Sequence, residues 1–282
     1  MRFSVVLVNY DSWPLTLRCI ESLSRTGSGD FEVVVVDNEG GPTPELRYPA
    51  SLIQSPTNVG FARACNVGIA SSVGEYVVLV NPDTLVEEDF FTRLAGFLEG
   101  SPETGVVGPK VLDTDGEVQL SARREVSLIS GILGRTSFLT WIFPDSAVVR
   151  RLFPAADSLE KPTEVDWVSG ACMALRRRML EEIGHLDTRF FMYFEDADLC
   201  RRARSAGWRV LYLPAITVTH QAGGSSRSSL RAVWHLHKSA FLYHRKHGPQ
   251  GPLGLYAIPV LAGLSARALL KLAAGYLGKL KS

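Results

Sequence analysis

Two apolar rhythms alternate along this chain. Phe3–Val8 (FSVVLV) and Phe31–Val36 (FEVVVV) are short runs rich in β-branched residues, while Trp13–Leu23 between them carries apolar residues at helical spacing. Strand, helix, strand is the economical reading: a βαβ unit with a parallel pair, whose near-continuous apolar strands belong in a sheet covered on both faces. The rhythm then repeats. Leu52–Gln54 is a short strand candidate, Val59–Ser72 a helix capped by Asn58, and Glu75–Val80 (EYVVLV) a strand halted at Asn81-Pro82-Asp83, since proline cannot donate to a ladder. Glu87–Leu98 reads as an amphipathic helix with acids in its first turn and Gly100 at its end.

From Ser121 to Thr163 the pattern loosens around Trp141, flanked by Arg123, Arg124, Arg150 and Arg151, and a loop this long is usually a lid, a binding loop or a mobile segment. Order returns with Val165–Leu175 (VDWVSGACMAL), in which Gly170 marks either a close backbone approach to a ligand or, more commonly, a bulge. Arg209–Leu213 and Ile216–Thr219 read as strands on either side of Pro214, the second delivering His220, and Ser228–His247 as a helix stopped by Gly248 and Pro249. The tail Leu253–Leu280 is apolar. Its uncharged run, Pro252–Ala266, is shorter than the roughly 20 residues that cross a bilayer, which leaves a helix in the membrane interface or one packed on the core.

The densest chemistry lies in Phe190–Arg202, FFMYFEDADLCRR. Five large apolar side chains run into Glu195, Asp196 and Asp198, which open a helix ending in Arg201, Arg202 and Arg204. Such a charge order complements a helix dipole in many ordinary helices. The same carboxylates against an apolar wall also have the environment that tunes a general base. Three strands meanwhile end in one kind of polar residue: Asn9, then Asp37-Asn38, then Asn81 and Asp83. Ligands of open α/β sheets bind outside the carboxyl ends of strands, so three such ends at one edge point to a shared nucleotide site.

At 282 residues and 46% hydrophobic content the chain suits one large α/β domain, or a domain with an appendage. The net charge of +1 hides a polarity: residues 1–198 hold 17 Lys/Arg and all 29 Asp/Glu, whereas residues 199–282 hold 13 Lys/Arg and no acid. The balance is −12 against +13, which suits an anionic surface or substrate near the C-terminal part. Cys19, Cys65, Cys172 and Cys200 form no CxxC pair, so neither a zinc site nor a disulfide framework is signalled. The chain opens directly on a strand, with no basic leader and cleavage site, which predicts a cytosolic location. No GxGxxG follows the first strand and no GxxxxGK[ST] occurs, so dinucleotide-binding and P-loop readings lose their support; Gly223-Gly224-Ser225-Ser226 reads as a turn.

VVLVNYDS at the first strand, VVVVDNEG at the second, NVGFARACNVGI in the next helix, VLVNPDT and FFMYFEDADLCRR together resemble family 2 glycosyltransferases, in the bacterial rhamnosyltransferase-like branch that often builds cell-envelope polysaccharide. The likeness is ordered and spans Phe3 to His247. It implies a GT-A fold, an α/β architecture with a mostly parallel central sheet and helices on both faces. Residues 1–225 would form the transferase domain (1–112 the nucleotide-sugar half, 113–225 the acceptor and catalytic half) and residues 226–282 a C-terminal helical extension. It also implies a nucleoside-diphosphate-sugar donor, inversion at the anomeric carbon and a divalent metal, Mg2+ or Mn2+.

Carried over by motif, Asp37 would bind the nucleobase, Asn9 would shape the nucleoside pocket, and Asn58, Gly60, Arg63 and Asn66 would lie along the ribose and phosphates. Asn81-Pro82-Asp83 matches the family's DXD position with Asn for the first acid, so the metal would rest on Asp83, completed by His220 in THQAGGSS. Asp196 matches the catalytic base, with Glu195 orienting it or the acceptor; Trp167, Gly170 and Asp198 would face the sugar or acceptor, Asp198 alternatively fixing its loop through an arginine. The expected partners are a dTDP- or UDP-sugar, L-rhamnose first, and a glycan or polyprenyl-diphosphate-linked acceptor at the inner face of the cytoplasmic membrane; nucleic acid is not among them. The competing readings are a sugar-1-phosphate nucleotidyltransferase, which NYDSWPLT does not suit because it is not a glycine-rich basic loop, and a binding subunit with a degenerate site.

Overall fold

The computed structural model describes residues 1–27, 30–119, 121–123, 160–221 and 230–248. The first βαβ unit forms as its pattern predicts: β1 (Phe3–Asn9), α1 (Trp13–Ser24) and β2 (Phe31–Asp37), with β1 and β2 parallel. There follow β3 (Ser51–Gln54), α2 (Phe61–Ala70), β4 (Tyr76–Val80), β5 (Thr84–Val86), α3 (Phe90–Glu99) and β6 (Thr104–Leu112). Past two short strands, β7 (Val118–Gln119) and β8 (Ala122–Arg123), come β9 (Thr163–Glu164), β10 (Trp167–Val168), β11 (Cys172–Arg176) and α4 (Arg177–Ile183). The last described elements are α5 (Glu195–Ser205), β12 (Arg209–His220) and α6 (Leu230–His247).

One sheet runs β3-β2-β1-β4-β11-β6-β12-β5, with β7 on β6 and β9 on β12, while β8 and β10 pair separately. Strands β3, β2, β1 and β4 are all parallel, and β12 is parallel to β6; β11 runs antiparallel between β4 and β6. Because successive strand residues point to opposite faces, β1 feeds both layers: Val6 and Val8 pack with α2, α4 and α5, whereas Phe3, Val5 and Leu7 pack with α1 and α3. Each fully buried Val, Leu or Phe here is worth about 1.5–3 kcal/mol over exposure. Gly68 lets α2 lie close on β1, since a Cβ there would meet Val6 at 2.4 Å. The strands interleave from both ends of the chain, so residues 1–112 and the residues that follow share one sheet and one pair of cores.

The structure corrects several element boundaries. Asn58 does not cap α2: the helix starts after Gly60 with no side-chain cap, and Asn58 instead accepts the Gly60 N–H. Glu87 and Glu88 precede α3 rather than filling its first turn, and Asp89 pairs with Arg93. Val165–Leu175 divides into β10 and β11, with Ser169-Gly170-Ala171 turning between them. The two strands expected around Pro214 are a single strand, β12, which absorbs the proline in a register shift between Leu213 and Thr217. The expected lid within 124–159, the Gly223–Ser226 turn and the tail beyond 248 lie outside the described residues.

Candidate active site

The carboxyl ends of β1, β2 and β4 open onto a cleft with a cavity volume of about 260 Å³, just under the usual range of small-ligand sites. Of the residues singled out in the sequence, Asn58, Asn81, Gly170, Glu195, Asp196 and His220 line it.

At the β1–β2 corner the register sets Asn9 opposite Asp37. Asn9 Nδ2 donates to Asp37 Oδ1 at 2.9 Å, and Asn9 Oδ1 accepts from Ser12 Oγ and Thr16 Oγ1. Asn9 is fully buried and fully used, so it holds the aspartate rather than walling the cleft. Asp37 Oδ2, also buried, has no hydrogen-bond partner among the described residues. A buried carboxylate oxygen left unsatisfied is costly, and a ligand N–H removes that cost. Next to it, Asn38 donates to Asn58 Oδ1 and accepts from the Val59 N–H, tying the end of β2 to the entrance of α2.

Gly60 at that entrance has φ +90, and a Cβ on it would lie 2.8 Å from the Phe191 carbonyl oxygen, which accepts the Phe61 N–H at 2.7 Å. Arg63 and Asn66, one turn and more inside α2, are not brought to the cleft. Arg63 is exposed, and both amide atoms of Asn66 are taken by the Leu186 backbone at 2.7 and 3.0 Å. Asn66 thus ties α2 to the chain leading into α5, in place of the donor contact expected of it.

Beyond β4, the pairing of β5 with β12 sets Thr84 opposite His220 and so brings Asp83 to it: His220 Nε2 lies 3.2 Å from Asp83 Oδ1. Gln119, which no motif or spacing marks, grips the histidine by two points. Its Nε2 donates to the His220 carbonyl, which leaves its Oε1 3.0 Å from His220 Nδ1. That arrangement puts a proton on Nδ1, while Nε2 faces the Asp83 carboxylate, to which it donates when protonated. Carboxylate plus neutral imidazole is also a donor set that Mg2+ or Mn2+ accepts when phosphate oxygens and water complete the shell. Among the described residues no cluster of three or more His, Cys, Asp or Glu forms a site.

The acidic corner of the cleft is built by the chain before α5. Tyr193 and Phe194 both adopt left-handed backbone angles, φ 71 and φ 67, a conformation that costs a non-glycine residue of order 1–3 kcal/mol and persists only where surroundings enforce it. Glu195 and Asp196 follow as the first residues of the helix. Asp196 accepts the Gly170 N–H on Oδ2 at 2.9 Å and the Ala197 N–H on Oδ1 at 2.7 Å, so the backbone approach at Gly170 is to this carboxylate. Burial drives the Glu195 carboxyl well above the usual carboxylate range, and the neighbouring Asp196 adds to the effect. Burial raises Asp196 too, while the two N–H groups restrain it. Glu195 Oε2 is buried with no partner among the described residues, whereas both Asp196 oxygens accept; the shared proton therefore belongs on Glu195.

Two candidate acceptor residues do not reach the cleft. Trp167 is half-buried on the core with the Arg123 guanidinium 4.7 Å over its ring. Asp198 is completely buried and held by Arg202 at 2.9 Å and by Lys246 and His247 at 2.6 Å each. Burial alone would raise its carboxyl, yet these three groups hold it below the usual value. Its expected sugar contact is thus replaced by a clasp between α5 and α6, and the arginine named as its alternative partner is one of three. The cleft lining also includes Tyr10, Ser169, Phe191, Met192 and Tyr193. Of these the sequence flagged only the aromatic pentad, as a wall.

Residues 1–239 match the glycosyltransferase-like family 2 pattern. Over 261 residues the chain is 32% identical to the N-acetylglucosaminyl-diphospho-decaprenol L-rhamnosyltransferase of Mycobacterium tuberculosis, covering 85% of this chain and 82% of the relative. It is 26% identical over 251 residues to the rhamnosyltransferase WbbL of Escherichia coli, covering 85% and 91%. In fold it resembles the mannosyltransferase PcManGT from Pyrobaculum calidifontis, solved with GDP-Man and Mn2+, with a TM-score of 0.56 at 18% identity over 99% of this chain and 80% of that one. With an interleaved, largely parallel sheet opening on a polar cleft, the chain belongs to glycosyltransferase family 2 and is a glycosyltransferase of its rhamnosyltransferase-like branch, built on the GT-A fold.

Proposed function

We propose that this glycosyltransferase is an inverting, divalent-metal-dependent enzyme that moves L-rhamnose, as first choice of sugar, from a dTDP- or UDP-sugar to a hydroxyl of a polyprenyl-diphosphate-linked glycan during cell-envelope polysaccharide synthesis. The observation that carries the proposal is the convergence on one cleft. Asp196 and His220 line the same cavity, and Asp83 lies 3.2 Å from His220 Nε2.

In this reading Asp37, with Asn9 fixing its Oδ1, offers Oδ2 to the ring N3–H of thymine or uracil. Asp83 and His220 hold the cation, which when bound supplies Lewis-acid stabilisation of the departing diphosphate. Asp196, ionised and anchored by the Gly170 and Ala197 N–H groups, takes the proton of the acceptor hydroxyl as that oxygen attacks C1. Glu195 keeps its proton and donates a hydrogen bond into the cleft, so that one member of the pair accepts while the other orients. A single in-line displacement of this kind inverts the anomeric centre.

The acceptor class is supported by the decaprenol-linked substrate in the name of the M. tuberculosis relative, and metal dependence by the Mn2+ in the P. calidifontis structure. No helix among the described residues is long and apolar enough to cross a membrane. The surplus of +13 over residues 199–282 suits attraction to anionic lipid at the cytoplasmic face. A panel of nucleotide sugars tested with Mn2+ or Mg2+ checks the reading: dTDP-L-rhamnose should be turned over, chelation should stop turnover, and Asp196→Asn should abolish transfer while still binding dTDP. Full transfer by Asp196→Asn, or turnover indifferent to chelator, would falsify it. Sedimentation with phosphatidylglycerol vesicles at low salt tests the membrane part; protein left in the supernatant counts against it.

A further inference from the structure

Helix α6 lies outside the sheet, yet it is attached to the left-handed strap that delivers Glu195 and Asp196. Ser239, buried on the inner face of α6, donates its hydroxyl to the Met192 carbonyl at 2.8 Å. The His235 ring stacks on Phe191 with centroids 4.4 Å apart and planes 16° off parallel, and Tyr243 packs on Phe194 at 5.5 Å. The His235 Nδ1 is buried with no hydrogen-bond partner among the described residues, so this ring serves through its face. At the end of the helix, Lys246 Nζ reaches Asp187 at 2.7 Å and Asp198 at 2.6 Å, bracketing the strap from both sides. Arg201 adds a bond to the His247 carbonyl at 3.1 Å.

Left-handed angles at two successive aromatic residues do not persist unaided, and they relax once the groups that impose them are removed. On the other side of the strap, the Phe61 N–H bond to Phe191 fixes one point. The contacts at Met192, the Phe194 ring and both ends come from α6. We infer that α6 belongs to the catalytic apparatus, with Ser239, His235 and Lys246 acting as positioning residues that hold Tyr193-Phe194 in its left-handed form and thereby aim Glu195 and Asp196 into the cleft. The inference deepens the reading of Asp196 as base and rests on it. It makes part of the C-terminal extension a component of the active site, acting through carbonyl and ring contacts and touching no substrate.

The test uses the full chain with dTDP-L-rhamnose, following hydrolysis and transfer, with dTDP binding by calorimetry and amide exchange across residues 193–198. Ser239→Ala is expected to lower kcat between about fivefold and a hundredfold, the scale on which small misplacements act, while the Kd for dTDP stays within about twofold. Exchange across 193–198 should quicken, and the acid limb of the kcat profile should move because the bonds that restrain Asp196 loosen. His235→Ala, on a half-exposed position that should not threaten folding, is expected to act alike, and His235→Phe, which keeps the ring, to restore the rate. Wild-type kcat and exchange in Ser239→Ala and His235→Ala, or no recovery in His235→Phe, overturns the inference. An inactive Asp196→Asn beside fully active α6 variants sinks this inference alone, whereas a fully active Asp196→Asn removes the base assignment and this inference with it.

Discussion

Replacing Asp198 by asparagine separates a sugar-binding carboxylate from a clasp. The side chain is completely buried and meets Arg202 Nε at 2.9 Å, Lys246 Nζ at 2.6 Å and His247 Nε2 at 2.6 Å. Asparagine keeps the shape but removes the charge, leaving Arg202 without its ion-pair partner and Lys246 with Asp187 alone, and breaking a buried pair in this way costs about 3–5 kcal/mol. Unfolding entropy scales with length, to about 0.6 kcal/mol per kelvin for a chain of 282 residues. The Tm should therefore fall by about 5–8 °C at pH 7. The sign of the pH dependence follows from Asp198 lying below its usual value when folded. Its stabilisation is fully present above the unfolded carboxylate pKa near 4 and is lost as pH drops through the lower folded value, so the gap between wild type and variant should narrow progressively below about pH 4. Thermal scans and urea titrations at pH 7, 4 and 3, with acceptor KM measured at pH 7, decide the matter. A Tm within a degree of wild type, together with a several-fold rise in acceptor KM, would refute the clasp and return Asp198 to the sugar.

The remaining expectations concern the cleft. Asp37→Asn should weaken nucleoside-diphosphate binding by about 10- to 100-fold, the worth of a hydrogen bond to a charged group; calorimetry showing less than a twofold change would take Asp37 out of the base pocket. Asp83→Asn and His220→Ala should each raise the Mn2+ concentration needed for half-maximal binding in a direct titration, and unchanged ion affinity in both would remove the pair from the metal site. Glu195→Gln, which keeps a neutral donor facing the cleft, should gain stability on the alkaline side. The folded carboxyl is raised, so the wild type keeps its relative stability below the unfolded value near 4 and loses it as pH climbs through the folded value. The Tm advantage of the glutamine variant should thus be larger at pH 9 than at pH 5, and equal advantages at the two would contradict a buried neutral glutamate.

The parts of the fold legible in the sequence are those where one local rhythm decides. Phe3–Asn9 and Phe31–Asp37 are rich in valine and largely buried on both faces, so their strands and parallel pairing follow from composition. The strand ends bearing Asn9, Asp37 and Asn81 were readable for the same reason. Roles decided by distant partners were not. Asn66 and Asp198 sit in the right motifs, but whether each faces the cleft depends on Leu186 and on Lys246 and His247, residues that no spacing connects to them. Gln119 lies in a two-residue strand that forms only against β6, too short to carry a period. Pro214 argued for a break, and the sheet accepted it as a bulge because the strands on either side still paired with β6.

The register that puts Thr84 opposite His220 joins β5 to a strand synthesised much later. A nascent or truncated polypeptide can assemble the parallel pairs around β1 from local crossovers, while the Asp83–His220 pair waits for β12 to zip down between β6 and β5. On the proposed reading, cation capture by that pair is a signature of completed topology, expected only in molecules whose sheet has closed to its far edge.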